Sequence, residues 1–158
     1  MASDPLPGNP LPGHGPCFVC GVENSLGLGV QFHFDPQTGR VRAHFAPGEA
    51  QQGAPGFAHG GSLAAPLDEA MGAAAWCAGH RAMAVHLEFD YRKAVPLGTP
   101  LLLSGWVTET NGRKIHTKGE ARFPDGAVAV ESRGLFVLAD KIFENSEFRW
   151  DEQAKDRE

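Results

Sequence analysis

The stretch His59-Gly60-Gly61-Ser62-Leu63-Ala64-Ala65-Pro66-Leu67-Asp68-Glu69-Ala70-Met71-Gly72-Ala73-Ala74-Ala75-Trp76 decides how this chain folds. It reads as a glycine-flanked helix start leading to an acid. At about 100° per residue, Leu63, Leu67, Ala70, Met71, Ala74 and Ala78 form one apolar stripe, which predicts a largely buried helix from about Gly60 to Ala78. Asp68 falls just beyond the edge of that stripe, beside Ala64 and Ala75, whereas Glu69 points to nearly the opposite side. The expectation is a half-buried Asp68 able to act as base or nucleophile, with Glu69 in solvent. Boundary acids are common on amphipathic helices, so the pattern alone leaves an ordinary role for Asp68 open. Pro66 is expected to kink the helix or open one backbone hydrogen bond just before Asp68. The two glycines let another molecule approach the backbone, and the first N–H groups of a helix have no partner within it. Such an end can hold developing negative charge.

Upstream of the helix, Val30, Phe32 and Phe34 alternate with polar residues, as do Val41, Ala43 and Phe45. The Asp35-Pro36-Gln37-Thr38-Gly39 link between them has turn chemistry, which predicts a hairpin. Pro47 to Ala58 is a Gly/Pro/Gln-rich loop. Downstream the period changes to two. Val85, Leu87, Phe89 and Tyr91 alternate with His86, Glu88, Asp90 and Arg92, as a long half-buried strand would. Leu101 to Thr110 and Lys114 to Phe123 read as strands joined by Asn111-Gly112, and Asp125-Gly126 leads into a last strand, Ala127 to Leu138. The order is two strands, one long apolar helix and four more strands: an α+β fold of about six antiparallel strands burying one helix.

Residues 1–16 hold five prolines and three glycines and are expected to be an extended, flexible tail, with folding starting near Cys17. Residues 17–139 form the predicted domain. Residues 140–158 form a charged tail whose Phe143, Phe148 and Trp150 pack as a short helix or cover a sheet edge. A chain of 158 residues, 42 % hydrophobic and 21 % charged, suits one globular domain. Its formal charge of −5 argues against a broad nucleic-acid footprint. The absence of a long apolar run or a leader-like N-terminus points to a cytoplasmic protein with no membrane partner. Three cysteines do not suggest a secreted disulfide framework. His14, Cys17 and Cys20 have zinc-like spacing, but a closed site takes four ligands and no second pair follows, so no metal and no cofactor are expected. Cys-x-x-Cys redox chemistry lacks its strand-then-helix context.

Five further groups of residues, taken with this pattern, resemble one family. They are Cys17-Phe18-Val19-Cys20-Gly21 with Asn24 and Gly27-Leu28; Gln52-Gly53-Ala54-Pro55-Gly56-Phe57-Ala58-His59-Gly60-Gly61; Asp68; Tyr91-Arg92-Lys93 with Val95-Pro96-Leu97-Gly98; and Gly112-Arg113-Lys114-Ile115. Over about Cys17 to Leu138 the chain resembles the hotdog-fold acyl-CoA thioesterases of the phenylacetate-pathway and 4-hydroxybenzoyl-CoA type. The resemblance implies a sheet wrapped around the long helix, dimers joined by their long strands and often paired into tetramers, and metal-free thioester hydrolysis at interfacial sites. Two positions depart from it. Ala84 stands where the family commonly has Thr near the acid, and Ala94 where it has Pro.

Asp68 lies eight residues beyond Gly60, or roughly 12 Å along one helix, so both can meet on one carbonyl only if they come from different subunits. In this reading the Gly60 N–H holds the oxyanion while Asp68 activates water or attacks directly. The resemblance implies that Gln52 and His59 shape the site, and His59 has a simpler role as a histidine bonding loop backbone. Gly61, Arg92, Lys93, Arg113 and Lys114 are candidate contacts for acyl-CoA, with arginines suited to its phosphates. Lys114, His116 and Lys118 share one strand face, where basic residues also discourage edge pairing. A non-catalytic acyl-CoA-binding protein remains an alternative, as does a hotdog dehydratase or hydratase, which would need its His paired with an acid differently.

Overall fold

The computed structural model describes residues 4–148, 150 and 152. Its one sheet is antiparallel throughout and has seven strands in the order β1-β2-β3-β5-β6-β7-β4. They are β1 (Asn9–Pro10), β2 (His33–Asp35), β3 (Arg40–Phe45), β4 (Ala82–Tyr91), β5 (Leu101–Asn111), β6 (Lys114–Arg122) and β7 (Val128–Leu138). The long helix α1 (Gly60–Cys77) lies between β3 and β4 in sequence and packs against β3 to β7. The apolar stripe read from the sequence faces inward: Leu67, Ala70 and Met71 are fully buried and Leu63 nearly so. This is the helix-in-a-sheet architecture expected, with one strand more.

Small residues make the close packing possible. A Cβ on Gly105 of β5 would lie 2.4 Å from the Ala70 carbonyl carbon, so this strand and α1 touch backbone to backbone. Pro66 sits inside α1 without ending it. Its missing N–H leaves the Ser62 carbonyl, one turn earlier, without the usual helical donor. Gly112 and Gly126 take positive φ of 57° and 85° in the two predicted turns.

Three expectations change. First, order begins upstream of Cys17: Leu11 is buried and its N–H donates to the Phe32 carbonyl at 2.8 Å. The prolines that suggested a loose tail suit a two-residue edge strand, where a ladder N–H is dispensable. Residues 1–3 of that tail lie outside the described residues. Second, β4 is not half-buried in the single chain. Only Ala82 is buried in it, and Met83, Val85 and Tyr91 are 47 %, 61 % and 50 % exposed. Its register with β7 shifts between Ala84 and His86, a bulge at Val85 that interrupts the simple alternation. Third, the alternating run at Val30 and Phe32 is buried but only His33–Asp35 is strand.

The C-terminal segment forms a short helix, α2 (Asp140–Phe143), and then lays aromatic rings over the end of α1. Phe143 meets Trp76 edge to face and Phe148 meets it at a tilt, with ring centroids 4.6 and 5.1 Å apart. Trp150 is buried and donates its indole N–H to the Pro12 carbonyl, tying the two terminal segments together. Residues 149, 151 and 153–158 of the charged tail lie outside the described residues.

Candidate active site

The loop before α1 is folded to present the helix end. The Gly56 N–H donates to the Gln52 side-chain carbonyl at 2.8 Å, closing the turn 52–56. The His59 N–H donates to the Gln51 carbonyl at 2.7 Å, and the Ser62 hydroxyl donates to the His59 carbonyl at the same distance. His59 is the N-cap of α1: its Nδ1 accepts from the Gly61 N–H at 2.9 Å. That is the backbone-bonding role, and it accounts for Gly61, whose N–H is thereby engaged.

The Gly60 N–H carries no hydrogen bond among the described residues and sits at the positive end of α1. Glycine leaves room here for a close side-chain neighbour. A Cβ on Gly60 would press within 3.2 Å of the Tyr91 ring, whose hydroxyl donates to the Gly60 carbonyl at 2.8 Å. Tyr91 thus ties the end of the exposed strand β4 to the start of α1.

Asp68 lies in the middle of a stripe on α1 that the chain itself leaves incompletely covered: Gly61, Ala64, Ala65, Asp68 and Gly72. Its neighbours are small, so a large group can reach the carboxylate. Partial burial, reinforced by the charge of Glu69, raises its pKa from the usual carboxylate range to about 6. The group remains ionised for the most part at neutral pH and is more basic than a solvent-exposed aspartate.

Glu69 does not face solvent as expected. Its carboxylate is turned into a cluster made by the N-terminal segment, where the Cys20 thiol donates to Oε1 at 3.1 Å and Cys17 lies 3.7 Å away. His14 Nε2 is 3.6 Å from the same oxygen. No local pattern could reveal this contact, because Cys20 and Glu69 stand 49 residues apart.

The basic candidates do not converge in one chain. Arg92 is clamped by Glu131, with Nε and Nη2 at 3.0 and 2.8 Å, and lies 3.8 Å from Asp90. Lys93 is exposed beside it. Arg113 donates one bond to the Leu138 carbonyl, and Lys114 is exposed at the opposite end of the sheet. Lys114 pairs with Val137, which pairs with Met83, so nine β4 residues, roughly 30 Å, separate that end from Arg92. Ala84 shares its strand face with Ala82, placing a methyl where the resemblance calls for a hydroxyl. Two surface depressions, one over β4, β5, β6 and β7 and one at Arg113 and α2, touch neither Gly60 nor Asp68.

Known proteins share the sequence family and the fold. Residues 55–130 match the family described as the thioesterase superfamily, a span from the loop before Gly60 into β7. The chain is 32 % identical over 118 residues to the acyl-coenzyme A thioesterase THEM4 of Xenopus laevis, covering 73 % of this chain and 52 % of that protein. It therefore spans about half the length of that curated relative. A crystal structure of protein RHA08564, a thioesterase superfamily protein, superposes with a TM-score of 0.74 at 38 % identity, covering 77 % of this chain and 60 % of that one. The fold alone is shared with smu.793 from Streptococcus mutans UA159, described as bound to acetyl CoA. There the TM-score is 0.62 and the identity 19 %, over 64 % of this chain and 82 % of that one.

Proposed function

Because the chain belongs to the thioesterase superfamily, we propose that it hydrolyses acyl-CoA thioesters to the free acid and coenzyme A. The observation that carries this reading is the unengaged Gly60 N–H at the head of α1, in a chain whose other uncovered α1 feature is the carboxylate of Asp68. The N–H and the helix end stabilise the oxygen of the thioester carbonyl as it becomes an oxyanion. In the general-base route, Asp68 takes a proton from water as its oxygen bonds to the carbonyl carbon. The C–S bond then breaks, and coenzyme A leaves as a thiolate that needs little acid help. In the nucleophilic route Asp68 attacks the carbonyl itself, the C–S bond breaks to expel the coenzyme A thiolate, and water cleaves the resulting mixed anhydride to free the acid and restore Asp68.

The site is composite in this proposal. Gly60 and Asp68 are roughly 12 Å apart on one helix, so the two groups meeting on one substrate belong to two subunits. The partner docks on β4, a ten-residue edge strand whose Met83, Val85 and Tyr91 are exposed. Two-fold pairing of β4 edges also reverses strand direction, which brings the Arg92 end of one chain beside the Arg113 end of the other. A dimer of such dimers is compatible with the same edge.

No helix among the described residues is long and apolar enough to cross a membrane, and the reading needs no membrane, nucleic acid or cofactor. We place the activity in the cytoplasm. The test is free-thiol release from a panel of short, long and aromatic acyl-CoAs, with the wild type turning over at least one of them and Asp68→Asn not. Ala84 favours a second reading, a protein that binds acyl-CoA without turnover. Saturable binding of every panel member with no thiol released would establish that instead.

A further inference from the structure

The Cys17-Phe18-Val19-Cys20-Gly21 turn and Glu69 take no part in hydrolysis as proposed. We propose that His14, Cys17, Cys20 and Glu69 form a four-ligand zinc site that fastens the N-terminal segment to α1. The spacing in the sequence offered three of these donors and lacked a fourth. The fold supplies it from the helix.

The four donors are gathered closely enough to share one ion. One ligand atom from each of the four residues can be chosen so that all lie within 4.8 Å of one another. Cys20 Sγ is 3.0 Å from His14 Nδ1 and 3.1 Å from Glu69 Oε1, and Cys17 Sγ is 3.7 Å from that oxygen. Zinc bonds of about 2.0 to 2.3 Å at tetrahedral angles set neighbouring donors about 3.3 to 3.8 Å apart. The two short pairs, at 3.0 and 3.1 Å, need to open by a few tenths of an ångström, and the widest, within 4.8 Å, to close by at most about 1 Å.

The turn is built to hold two sulfurs on one side. The Val19 N–H donates to Cys17 Sγ at 3.4 Å, and the Gly21 N–H donates to the Cys17 carbonyl at 3.0 Å. Gly21 has no substitute there, because a Cβ would lie 2.3 Å from the Gly15 carbonyl oxygen. The His14 ring is held against Phe148 and Trp150, with centroids 4.3 and 5.0 Å away, which fixes its orientation and keeps water from that side.

The donor chemistry selects the metal. Two sulfurs, an imidazole and a carboxylate suit zinc and not magnesium or calcium, which take oxygen ligands. A divalent ion binds cysteine as the thiolate and releases its proton. Four protein donors leave no open position for water, so the ion is structural. It pins α1 one residue from Asp68, and its readout does not depend on hydrolysis.

The test uses the full chain, purified without chelator and with any polyhistidine tag removed. Metal analysis is expected to find roughly one zinc per chain. Chelator-stripped protein titrated with cobalt chloride is expected to develop the visible bands of tetrahedral cobalt with thiolate charge transfer. Cys20→Ser and Glu69→Gln should each weaken zinc binding at least about tenfold. Circular dichroism checks their folding, and His14→Ala supplies a further variant if Cys20→Ser does not fold. A purely octahedral cobalt spectrum overturns the proposal, as does zinc content unchanged in a Cys17→Ser, Cys20→Ser double variant. A Cys17–Cys20 disulfide in protein that takes up no zinc after reduction overturns it in favour of a redox pair.

Discussion

Asp68 and Glu69 are adjacent acids on one helix, yet the chain treats their two faces of α1 in opposite ways. The Glu69 side is closed by the protein's own ends: the His14 to Cys20 turn covers it, and Phe148 and Trp150 back the His14 ring. The Asp68 side is lined by Gly61, Ala64, Ala65 and Gly72 and stays partly open. One acid is invested in holding the fold, and the other is left where a substrate or a second subunit can reach it. A hundred degrees of helix rotation separates the two roles.

The largest expected effect tests that division directly. Asp68→Asn keeps shape and removes the proposed base, and kcat should fall by on the order of 10²-fold or more. Glu69→Gln should cost far less turnover, its effect appearing in stability and metal content. Comparable losses in kcat from the two substitutions would erase the distinction between the faces. Circular dichroism on both variants guards against reading misfolding as lost chemistry.

Next in size is the open edge beside the open face. A charge placed at Val85, such as Val85→Glu, should disfavour pairing of β4 edges and lower specific activity about tenfold at low protein concentration. A fully active monomer in sedimentation would sink the composite site. A mixing experiment sharpens the point. Gly60→Pro removes the N–H at a helix position where proline is tolerated, with the Tyr91 ring yielding by a few tenths of an ångström. Random dimers of Asp68→Asn and Gly60→Pro subunits should recover about a quarter of wild-type activity, because half are mixed and each mixed dimer has one intact site. No recovery from two folded variants would place both groups in the same subunit's site.

How much of this was legible beforehand follows from the range of each interaction. The bounds of α1 and the turns at Asn111-Gly112 and Asp125-Gly126 were readable because periodicity and turn chemistry are local. The pairing of β1 with β2 was hidden because proline content looks the same in a loose tail and in an edge strand. The bulge at Val85 was hidden too, since Val85, Leu87, Phe89 and Tyr91 alternate in sequence whether or not the pleat is interrupted. Gly60 and Asp68 stood out through helix geometry. Glu69 was misassigned because its partners arrive from the far side of the chain, and a helical wheel knows only the helix's own turn.

A smaller effect probes the closed face. Trp150→Phe keeps the aromatic bulk over His14 but removes the indole N–H bond to the Pro12 carbonyl. Stability should fall by about 1 kcal/mol, visible as a melting temperature a few degrees lower, with kcat within a few-fold of wild type. A large loss of turnover without a stability change would mean that the terminal segments serve the chemistry and not the scaffold.

The smallest effect concerns the handle for coenzyme A, where the two arginines singled out by the sequence now differ. Arg92 is held by Glu131 and sits among Glu88, Asp90 and Arg133, a group whose acids outnumber its bases, so a phosphate approaching it meets repulsion as well as attraction. Arg113 spends one nitrogen on the Leu138 carbonyl and keeps the rest of its donor fork for a ligand. Arg113→Ala should therefore raise KM for acyl-CoA a few-fold, and Arg92→Ala should raise it less. Phosphates far from the carbonyl are held nearly equally in ground and transition states, so kcat should stay within a few-fold for both. A truncated thioester lacking the nucleotide is the control. On it Arg113→Ala should match wild type, and an equal penalty on the short and the full substrate would show that Arg113 supports the end of β7 and not the nucleotide. Raising ionic strength should narrow the gap between Arg113→Ala and wild type on the full substrate, because screening weakens an exposed phosphate contact that only the wild type makes.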